Sequence, residues 1–425
     1  MLDIRLIREK PDFVREKLSQ RGADPGFVDQ ILAFDEQRRQ LVQEGEALKA
    51  KRNEISRQIP ILAKEKKPID ALKEESRSIG DAITGIDARL SEVDAARDQL
   101  MLQVPNLPQD GVPVGPDEAH NRVLRTWGEK QEFGFTPKPH WDLGADLDIL
   151  DLARGAKISG SGFYTMKGAG ARLERVLIQW MLDTHTTQNG YTEVSVPYLV
   201  RSTALVGTSQ LPKFADQLYL ATEDQLYLVP TAEVPVTNLH ADEILEAEQL
   251  PLSYCSHTPC FRREAGAAGR ESRGISRIHQ FHKVELVHIT RPEDSAAMHE
   301  KLVGHATGLL EALGLTYRVL ELCTGDMGFG AARCLDLEVW APGMNTWLEV
   351  SSCSNFEAFQ SRRAGIKYRA GKGEKPQFAH TLNGSGLALP RLIIALMENY
   401  QQADGSIVVP EILRSRLGAE VICKG

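Results

Sequence analysis

Arginine, glutamate and aromatic residues lie on both sides of a glycine-rich stretch between positions 260 and 286. Arg262 and Glu264 precede the stretch, and Phe281 and Glu285 follow it. Side chains two or four positions apart on a strand share a face, so the spacing predicts a β-hairpin with a mobile basic loop and one shared site. Guanidinium groups bind phosphate oxygens, and aromatic rings stack on nucleobases. The segment therefore predicts a polyanion site on a sheet; a surface ion pair and a core phenylalanine are the simpler alternatives.

Two shorter motifs carry further polar groups. Thr231 and Glu233 form a Thr-x-Glu element, a spacing that usually caps a helix, here one that begins at Glu233 or Val234. Glu349 and the hydroxyl residues after it lie at the end of a predicted strand. A carboxylate buried there needs a cationic partner, either an arginine or Mg²⁺.

Small residues between positions 381 and 391 predict a turn that leads into an apolar helix at 392–397. Arg391 lies at the start of this helix, where the helix dipole disfavours a cation. That placement predicts a contact with a phosphate group. The glycines here do not form a dinucleotide-binding pattern, and the chain has no Walker A motif.

The composition is that of a globular protein with two or three domains. The 425 residues are 42% hydrophobic and 25% charged, with a net charge of −8. This charge argues against indiscriminate nucleic-acid binding but allows a local basic patch. No apolar run reaches the roughly 20 residues that span a bilayer, and the polar start is unlike a signal peptide, so we expect a cytoplasmic protein without membrane contact. The six cysteines lack a CxxC pair, which predicts buried free thiols and no zinc.

Residues 27–104 repeat apolar side chains every seven positions, a pattern typical of coiled coils. The repeats fall into two runs around a Lys-Lys-Pro turn at 66–68, which predicts an antiparallel helical-hairpin arm. Pro60 should kink the first helix or end it early. The repeated residues are Phe34, Leu41, Leu48, Ile55 and Leu62, then Leu72, Ile79, Ile86, Val93 and Leu100, with Ile83, Leu90 and Val104 on the second seam.

Charge is unevenly distributed along this arm. Seven basic and two acidic residues lie between positions 47 and 67, against four basic and eight acidic between 68 and 104. The basic excess favours contact with a nucleic-acid backbone, for which Lys49, Arg52 and Lys64 are candidates. A solvated coiled-coil face is the simpler interpretation.

A Pro- and Gly-rich linker is predicted at residues 105–120. It separates an N-terminal domain at 1–104 from an α+β domain at 121–425. Within that domain we expect an amphipathic helix at 173–188 and short strands near 192–196, 217–228, 318–323, 332–340 and 347–351.

In combination and order, these motifs resemble those of the seryl-tRNA synthetases, class II aminoacyl-tRNA synthetases, in their bacterial form. The resemblance covers the whole chain. It implies an antiparallel sheet flanked by helices, a homodimer formed through the helix and strand at about 171–197, and ATP-dependent attachment of serine to its tRNA through a seryl-adenylate. It also allows serylation of selenocysteine tRNA. The matching runs lie at 231–233, 261–266, 279–285, 349–355 and 383–391.

The resemblance also implies individual roles, with Arg262, Glu264 and Arg391 as the catalytic residues. Arg262 would hold the α-phosphate, Glu264 would bind the adenine amino group, Phe281 would stack on adenine, and Arg391 would meet the γ-phosphate. The implied ATP-binding residues are Arg262, Arg263, Glu264, Phe281, Glu349, Val350, Ser351, Ser352 and Arg391. The implied serine-binding residues are Thr231, Ala232, Glu233, Arg262, Glu285, Asn383 and Ser385, with Arg277 in support.

Two further expectations concern partners. Glu349 and Ser352 would hold the Mg²⁺ that accompanies ATP. Arg270 and Arg273, in the glycine-rich loop, would meet the acceptor end of tRNA. Arg263 stands where many relatives carry serine, and it has no assigned role beyond the ATP-binding run.

Two other interpretations stay open. A synthetase-like paralogue would activate an amino acid for an acceptor other than tRNA, and a coiled-coil nucleic-acid binder would have no enzymatic activity. The complete arm argues against the first, and the arginines of the body argue against the second. Serine-dependent exchange of pyrophosphate with ATP separates the enzyme from the binder.

Overall fold

The computed structural model of the chain describes residues 1–265 and 273–424. These residues form two compact units, one of Leu2–Pro105 and one of Met1 with Asn106–Gly425. No helix in the described ranges combines the length and apolar character needed to cross a membrane.

The first unit contains helices α1 (Ile4–Glu9), α2 (Pro11–Gln20), α3 (Phe27–Lys64) and α4 (Asp70–Met101). The helices of the second unit are α5 (His140–Asp146), α6 (Leu152–Ser159), α7 (Gly168–Thr187), α8 (Ser202–Gly207), α9 (Glu233–Thr237), α10 (Ser295–Ala312), α11 (Phe359–Ala364), α12 (Leu389–Asn399) and α13 (Glu411–Leu417). Its strands are β1 (Arg122–Trp127), β2 (Leu150–Asp151), β3 (Thr165–Met166), β4 (Thr192–Glu193), β5 (Leu199–Val200), β6 (Leu220–Ala221), β7 (Leu226–Leu228), β8 (Ile244–Glu246), β9 (Leu252–Phe261), β10 (Gln280–Thr290), β11 (Tyr317–Glu321), β12 (Arg333–Ala341), β13 (Thr346–Glu357), β14 (Lys367–Arg369), β15 (Gln377–Phe378), β16 (His380–Ala388), β17 (Ile407–Val408) and β18 (Val421–Ile422).

Helices α3 and α4 form the predicted antiparallel arm. Ile55, Ile79 and Ile83, which lie on the predicted seams, pack into one apolar cluster. Ion pairs join the two helices in antiparallel order, because partners later in α3 meet partners earlier in α4. These pairs are Arg38–Asp94 at 2.9 Å, Lys49–Asp87 at 3.2 Å and Lys51–Glu75 at 2.8 Å.

The first arm helix does not end early at Pro60, so that alternative is wrong. Helix α3 continues through Pro60 to Lys64. A proline in a helix removes one backbone hydrogen bond. The neighbouring Ile59 packs against the apolar cluster of the arm, and its burial favours continuing the helix.

The second unit is built on an eight-stranded sheet in the order β1-β11-β12-β13-β16-β10-β9-β4. Neighbouring strands are antiparallel except for the short β4, which pairs parallel to β9. Helices α7, α10 and α12 cover the sheet, and their apolar residues form the main core with those of the central strands. This is the α+β arrangement that the resemblance implied.

Strands β9 and β10 confirm the predicted hairpin, with Phe261 opposite Gln280. The expectation that Arg262 and Glu264 alternate on one of its strands is wrong, because β9 ends at Phe261. Glu264 has a φ of 49°, a left-handed conformation that a regular strand does not contain. Residues 266–272, including Arg270, lie outside the described residues.

The predicted turn at 381–391 is also wrong, because most of this segment is the central strand β16. Its glycines are explained by close packing against neighbouring residues. A Cβ on Gly384 would lie 2.7 Å from the Cys353 sulfur, and one on Gly386 would lie 2.8 Å from Nε2 of His185. Helix α12 starts at Leu389, which places Arg391 in its first turn.

Candidate active site

A cavity of about 490 Å³ opens over the central strands of the sheet. It collects most of the residues that the sequence singled out for chemistry. These are Thr231, Glu233, Arg262, Glu264, Phe281, Glu285, Glu349, Val350, Ser352, Asn383, Ser385 and Arg391. Segments far apart in the chain meet here because β9, β10, β13 and β16 are neighbours in one sheet.

Two arginines define one end of the cavity. Arg262 donates from Nε to the carbonyl oxygen of Pro230 at 3.2 Å, and its guanidinium carbon lies 5.2 Å from the centre of the Phe281 ring. Arg391 donates from Nη1 to the backbone carbonyl of Glu349 at 2.8 Å and lies 3.3 Å from its carboxylate. Both guanidinium groups are partly exposed and keep donors for an anionic ligand.

Glu264 lies beside these cations although it is outside the strand. Its carboxylate is 3.5 Å from Nη1 of Arg277. The backbone here is held by Gln217, whose side chain accepts from the Ala265 N–H at 3.0 Å and donates to the Ala265 carbonyl at 2.7 Å. The Gln217 carbonyl also accepts from the N–H of Arg263 at 2.9 Å. Gln217 thus holds the backbone on both sides of Glu264.

Oxygen ligands gather where β12 and β13 run side by side. Asp336 is opposite Ser352 in the strand pairing, and the charge of Glu349 acts on Asp336. Burial, and then the charge of Glu349, raise the pKa of Asp336 well above its ordinary value. The Glu349 side chain is 44% exposed, so the expectation of a buried carboxylate is wrong. Its expected arginine partner is Arg391.

Thr231, Lys283 and Glu285 form a buried hydrogen-bonded group deeper in the cavity. Lys283 donates to the Thr231 hydroxyl at 3.0 Å and forms an ion pair with Glu285. The same hydroxyl donates to Glu285 at 3.3 Å. A buried ion pair compensates part of the cost of removing both charges from water.

Glu233 lies in the same region with a different partner. The side-chain amide of Gln360 donates to its carboxyl at 2.6 Å, and Thr381 donates to Gln360 at 2.7 Å. Burial, and then the charge of Glu285, raise the pKa of Glu233 to about 7. The nearby Asn383 amide nitrogen is buried and makes no hydrogen bond of ordinary geometry within the described ranges. The Asn383 amide is therefore available to a polar ligand in this buried pocket.

Other residues of the predicted site lie outside the cavity wall. Ala232 and Ser351 are buried, and the Ser351 hydroxyl donates to the Ser385 carbonyl at 2.6 Å. Arg263 is exposed. Arg273 lies over the Trp141 ring, with its guanidinium carbon 4.7 Å from the ring centre.

Sequence reasoning missed four residues: Lys283, Asp336, Gln360 and Gln217. Lys283 had a usable signal, because it is two positions from both Phe281 and Glu285 and so shares their face of β10. Asp336 lies between two leucines of β12, which is a weaker signal. Gln217 and Gln360 had none, because their partners come from segments distant in the chain.

The family comparisons agree with this geometry. Residues 217–400 match the tRNA synthetase class II core domain of the G, H, P, S and T group. Residues 1–108 match the seryl-tRNA synthetase N-terminal domain. The antiparallel sheet and its arginine-lined cavity are thus those of a class II tRNA synthetase.

Curated relatives narrow the assignment. The chain is 56% identical to the serine–tRNA ligase of Roseiflexus castenholzii over 423 residues, or 99% of each chain. It is 51% identical to that of Listeria monocytogenes serotype 4a over 98% of each chain. This chain belongs to the seryl-tRNA synthetase family.

Solved structures are similar over the whole length. The seryl-tRNA synthetase of Pyrococcus horikoshii complexed with ATP has a TM-score of 0.95 at 38% identity, covering 100% of both chains. The cytoplasmic serine–tRNA ligase of Naegleria fowleri in complex with AMP has a TM-score of 0.90 at 29% identity, covering 100% of this chain and 99% of that one.

Proposed function

We propose that this chain attaches L-serine to serine tRNA in two steps. A carboxylate oxygen of serine attacks the α-phosphorus of ATP, and pyrophosphate leaves. A hydroxyl of the terminal ribose of tRNA then attacks the acyl carbon, and AMP leaves. The observation that carries this proposal is one cavity in which arginines lie beside a buried pocket lined by hydroxyl and carboxylate groups.

In the first step the protein positions ATP and neutralises its charge, and no protein nucleophile is required. Arg262 binds the α-phosphate and the serine carboxylate, which brings the reacting atoms together. Arg391 binds the γ-phosphate, and adenine stacks on Phe281 while Glu264 accepts from its amino group. Preorganised cations stabilise the charge that grows at the phosphate in the transition state.

A divalent metal fits the proposed ATP site. Glu349, Ser352 and Asp336 supply only oxygen ligands, the type that Mg²⁺ prefers. No set of three or more His, Cys, Asp or Glu side chains in the described ranges is arranged to hold a metal ion. Mg²⁺ would therefore enter with ATP, be held by Glu349 and Ser352, and supply charge neutralisation at the phosphates.

The buried pocket selects serine by its polar groups. Glu233 accepts from the ammonium group of serine, and Glu285 with Ser385 binds its hydroxyl group. Asn383 and Lys283 support this arrangement. Alanine would leave these buried groups without partners, which costs far more than the loss of one methyl-sized contact.

The helical arm binds tRNA. Arg52 and Lys64 are exposed on α3 and make no ion pair within the described residues, so they can neutralise backbone phosphates. Lys49 is also exposed but is paired with Asp87. Arg273 and Arg270 of the hairpin loop would meet the acceptor end. The proposal extends to selenocysteine tRNA, a second acceptor to be tested beside serine tRNA.

The proposal further includes a homodimer that works in the cytoplasm. Helix α7 and strand β4 would form the interface. Tyr198 and Leu199, close to β4 in sequence, are 42% and 47% exposed. Adjacent exposed apolar side chains of this size are typical of a surface that another protein covers.

Serine-dependent exchange of pyrophosphate with ATP tests the proposal. The chain should exchange with serine and not with alanine or threonine. Replacing Arg262 by Ala should slow exchange on the order of 100- to 1,000-fold, because a preorganised charge is lost. Arg291→Ala, which removes an arginine paired with Asp294 outside the cavity, is the matched control. Exchange that ignores serine would contradict the proposal, as would exchange that Arg262→Ala does not slow.

A further inference from the structure

The cavity continues beyond the proposed serine site along β13. Val350, Ser352, Ser354 and Phe356 alternate on the strand, and all four line the cavity. At about 3.3 Å per residue, they span roughly 20 Å. The contacts of β13 show which site lies where along this length. Glu349 contacts Arg391 at one end, and Ser354 lies opposite Asn383 further along the strand. Phe356 is two residues further on, past the serine site.

Three phenylalanines form this far end, which we call the aromatic end: Phe214, Phe329 and Phe356. The rings of Phe214 and Phe329 are edge to face, with centres 6.4 Å apart. Gly330 allows the two walls to approach, because a Cβ there would lie 2.5 Å from the Ser209 hydroxyl and 3.2 Å from the Phe356 ring. Phe214 and Phe329 are half-buried, so both present ring surface to the cavity.

Two basic residues lie next to phenylalanines of the aromatic end, although neither lines the cavity. Lys213, beside Phe214, is exposed and makes no ion pair in the described part of the chain. The guanidinium carbon of Arg363 lies 5.6 Å from the centre of the Phe329 ring. Aromatic rings together with cations are the combination that binds a single-stranded nucleotide, by stacking on the base and neutralising phosphate.

We propose that the aromatic end binds the 3′-terminal nucleoside of tRNA, with its base against Phe329 and Phe214. This inference rests on the proposed function, which requires that the terminal ribose reach the serine acyl group. A nucleoside held there brings its hydroxyl next to the serine site. That oxygen forms a bond to the acyl carbon, the bond from this carbon to the AMP phosphate oxygen breaks, and the hydroxyl proton is released to solvent.

Single-turnover transfer tests this inference. Seryl-adenylate is formed on the enzyme and mixed with tRNA ending in adenosine, or with the same tRNA whose last residue is an abasic ribose. The wild-type chain should prefer the intact end by roughly 5- to 100-fold, the range expected for one stacked base. Phe329→Ala should bring this preference close to one by slowing only transfer to the intact end. Phe329→Tyr should restore it.

Phe135→Ala is the matched control, because Phe135 forms an edge-to-face pair with Phe133 at 5.3 Å outside the cavity. It should keep the wild-type preference. If Phe329→Ala keeps that preference, or slows transfer to both tRNA ends equally, the aromatic end does not bind the base. A wild-type chain that makes no seryl-adenylate would instead overturn the proposed function itself.

Discussion

Buried charge in the serine pocket is arranged around two glutamates with different partners. Glu285 faces the ammonium group of Lys283, whereas Glu233 faces the neutral amide of Gln360. Burial, and then the charge of Glu285, raise the pKa of Glu233 to about 7, and the nearby Lys283 offsets only part of this rise. Glu233 can therefore take up or release a proton near neutral pH.

Serine affinity should consequently rise with pH. Below pH 7 Glu233 is protonated, and it must lose its proton before it can accept from the serine ammonium group. Affinity should increase up to about tenfold per pH unit below this pKa and level off above it. Calorimetry at pH 6, 7 and 8 in buffers of different ionisation enthalpy should show proton release that fades by pH 8.

Variants separate this effect from general pH sensitivity. Glu233→Gln should weaken serine binding and abolish the coupled proton release, whereas Glu223→Gln, at an exposed site outside the cavity, should change neither. The raised pKa has the opposite consequence for stability. The free energy of unfolding should fall as pH rises from 4.5 to about 7, because the unfolded chain releases this proton above pH 4.5 whereas the folded chain keeps it up to about pH 7. A serine affinity that does not change with pH in the wild-type chain would contradict the role of Glu233 as the acceptor for the serine ammonium group.

The basic residues of the arm fall into two groups, those that form ion pairs with α4 and those that do not. Lys49 and Lys51 form exposed ion pairs with acids of α4. Arg52 and Lys64 are exposed without ion pairs in the described ranges. Exposed pairs contribute little to stability, so the unpaired cations have more to gain from a phosphate.

Reversing these two charges should therefore affect tRNA and not serine activation. Arg52→Glu combined with Lys64→Glu should raise the KM for tRNA by about tenfold or more and leave serine-dependent exchange unchanged. Each lost phosphate contact should lower the slope of log affinity against log salt by roughly one. Arg89→Glu, at an exposed site on α4, is the control. If Arg89→Glu raised the KM for tRNA equally, the effect would come from the net charge of the arm and not from these two positions.

For the whole molecule, the proposed dimer depends on one edge of the large sheet. Strand β4 ends the sheet on one side, and β1 ends it on the other. Val123 on β1 is 49% exposed, which makes it comparable to Leu199, which lies on β5 and is close to β4 in sequence. A charge introduced at one of these positions should disrupt the proposed dimer, and a charge at the other should not.

Leu199→Glu should shift the protein from dimer to monomer, because a charge buried at an interface without a partner is costly. Val123→Glu should leave the dimer intact. Sedimentation velocity at micromolar concentration measures both. A dimer that survives Leu199→Glu and dissociates with Val123→Glu would place the interface on the other edge.

Local patterns in the sequence account for the elements with strong periodicity. The arm was predictable because seven-residue spacing depends only on helix geometry. The β9–β10 hairpin was predictable because alternation and a glycine-rich break are local signals. Strand β16 was not, because its glycines suggest a turn until the neighbouring Cys353 and His185 are known.

The amino-acid sequence alone determined the residue types for phosphate and serine chemistry, the arm and the motif order that points to the family. The tertiary structure decided which of those residues share a cavity and what state they are in. Glu233 and Glu285 are alike in sequence, and only packing gives one an amide and the other an ammonium partner. The same holds for the aromatic end, because Phe214, Phe329 and Phe356 come from separate segments that only the folded sheet brings together.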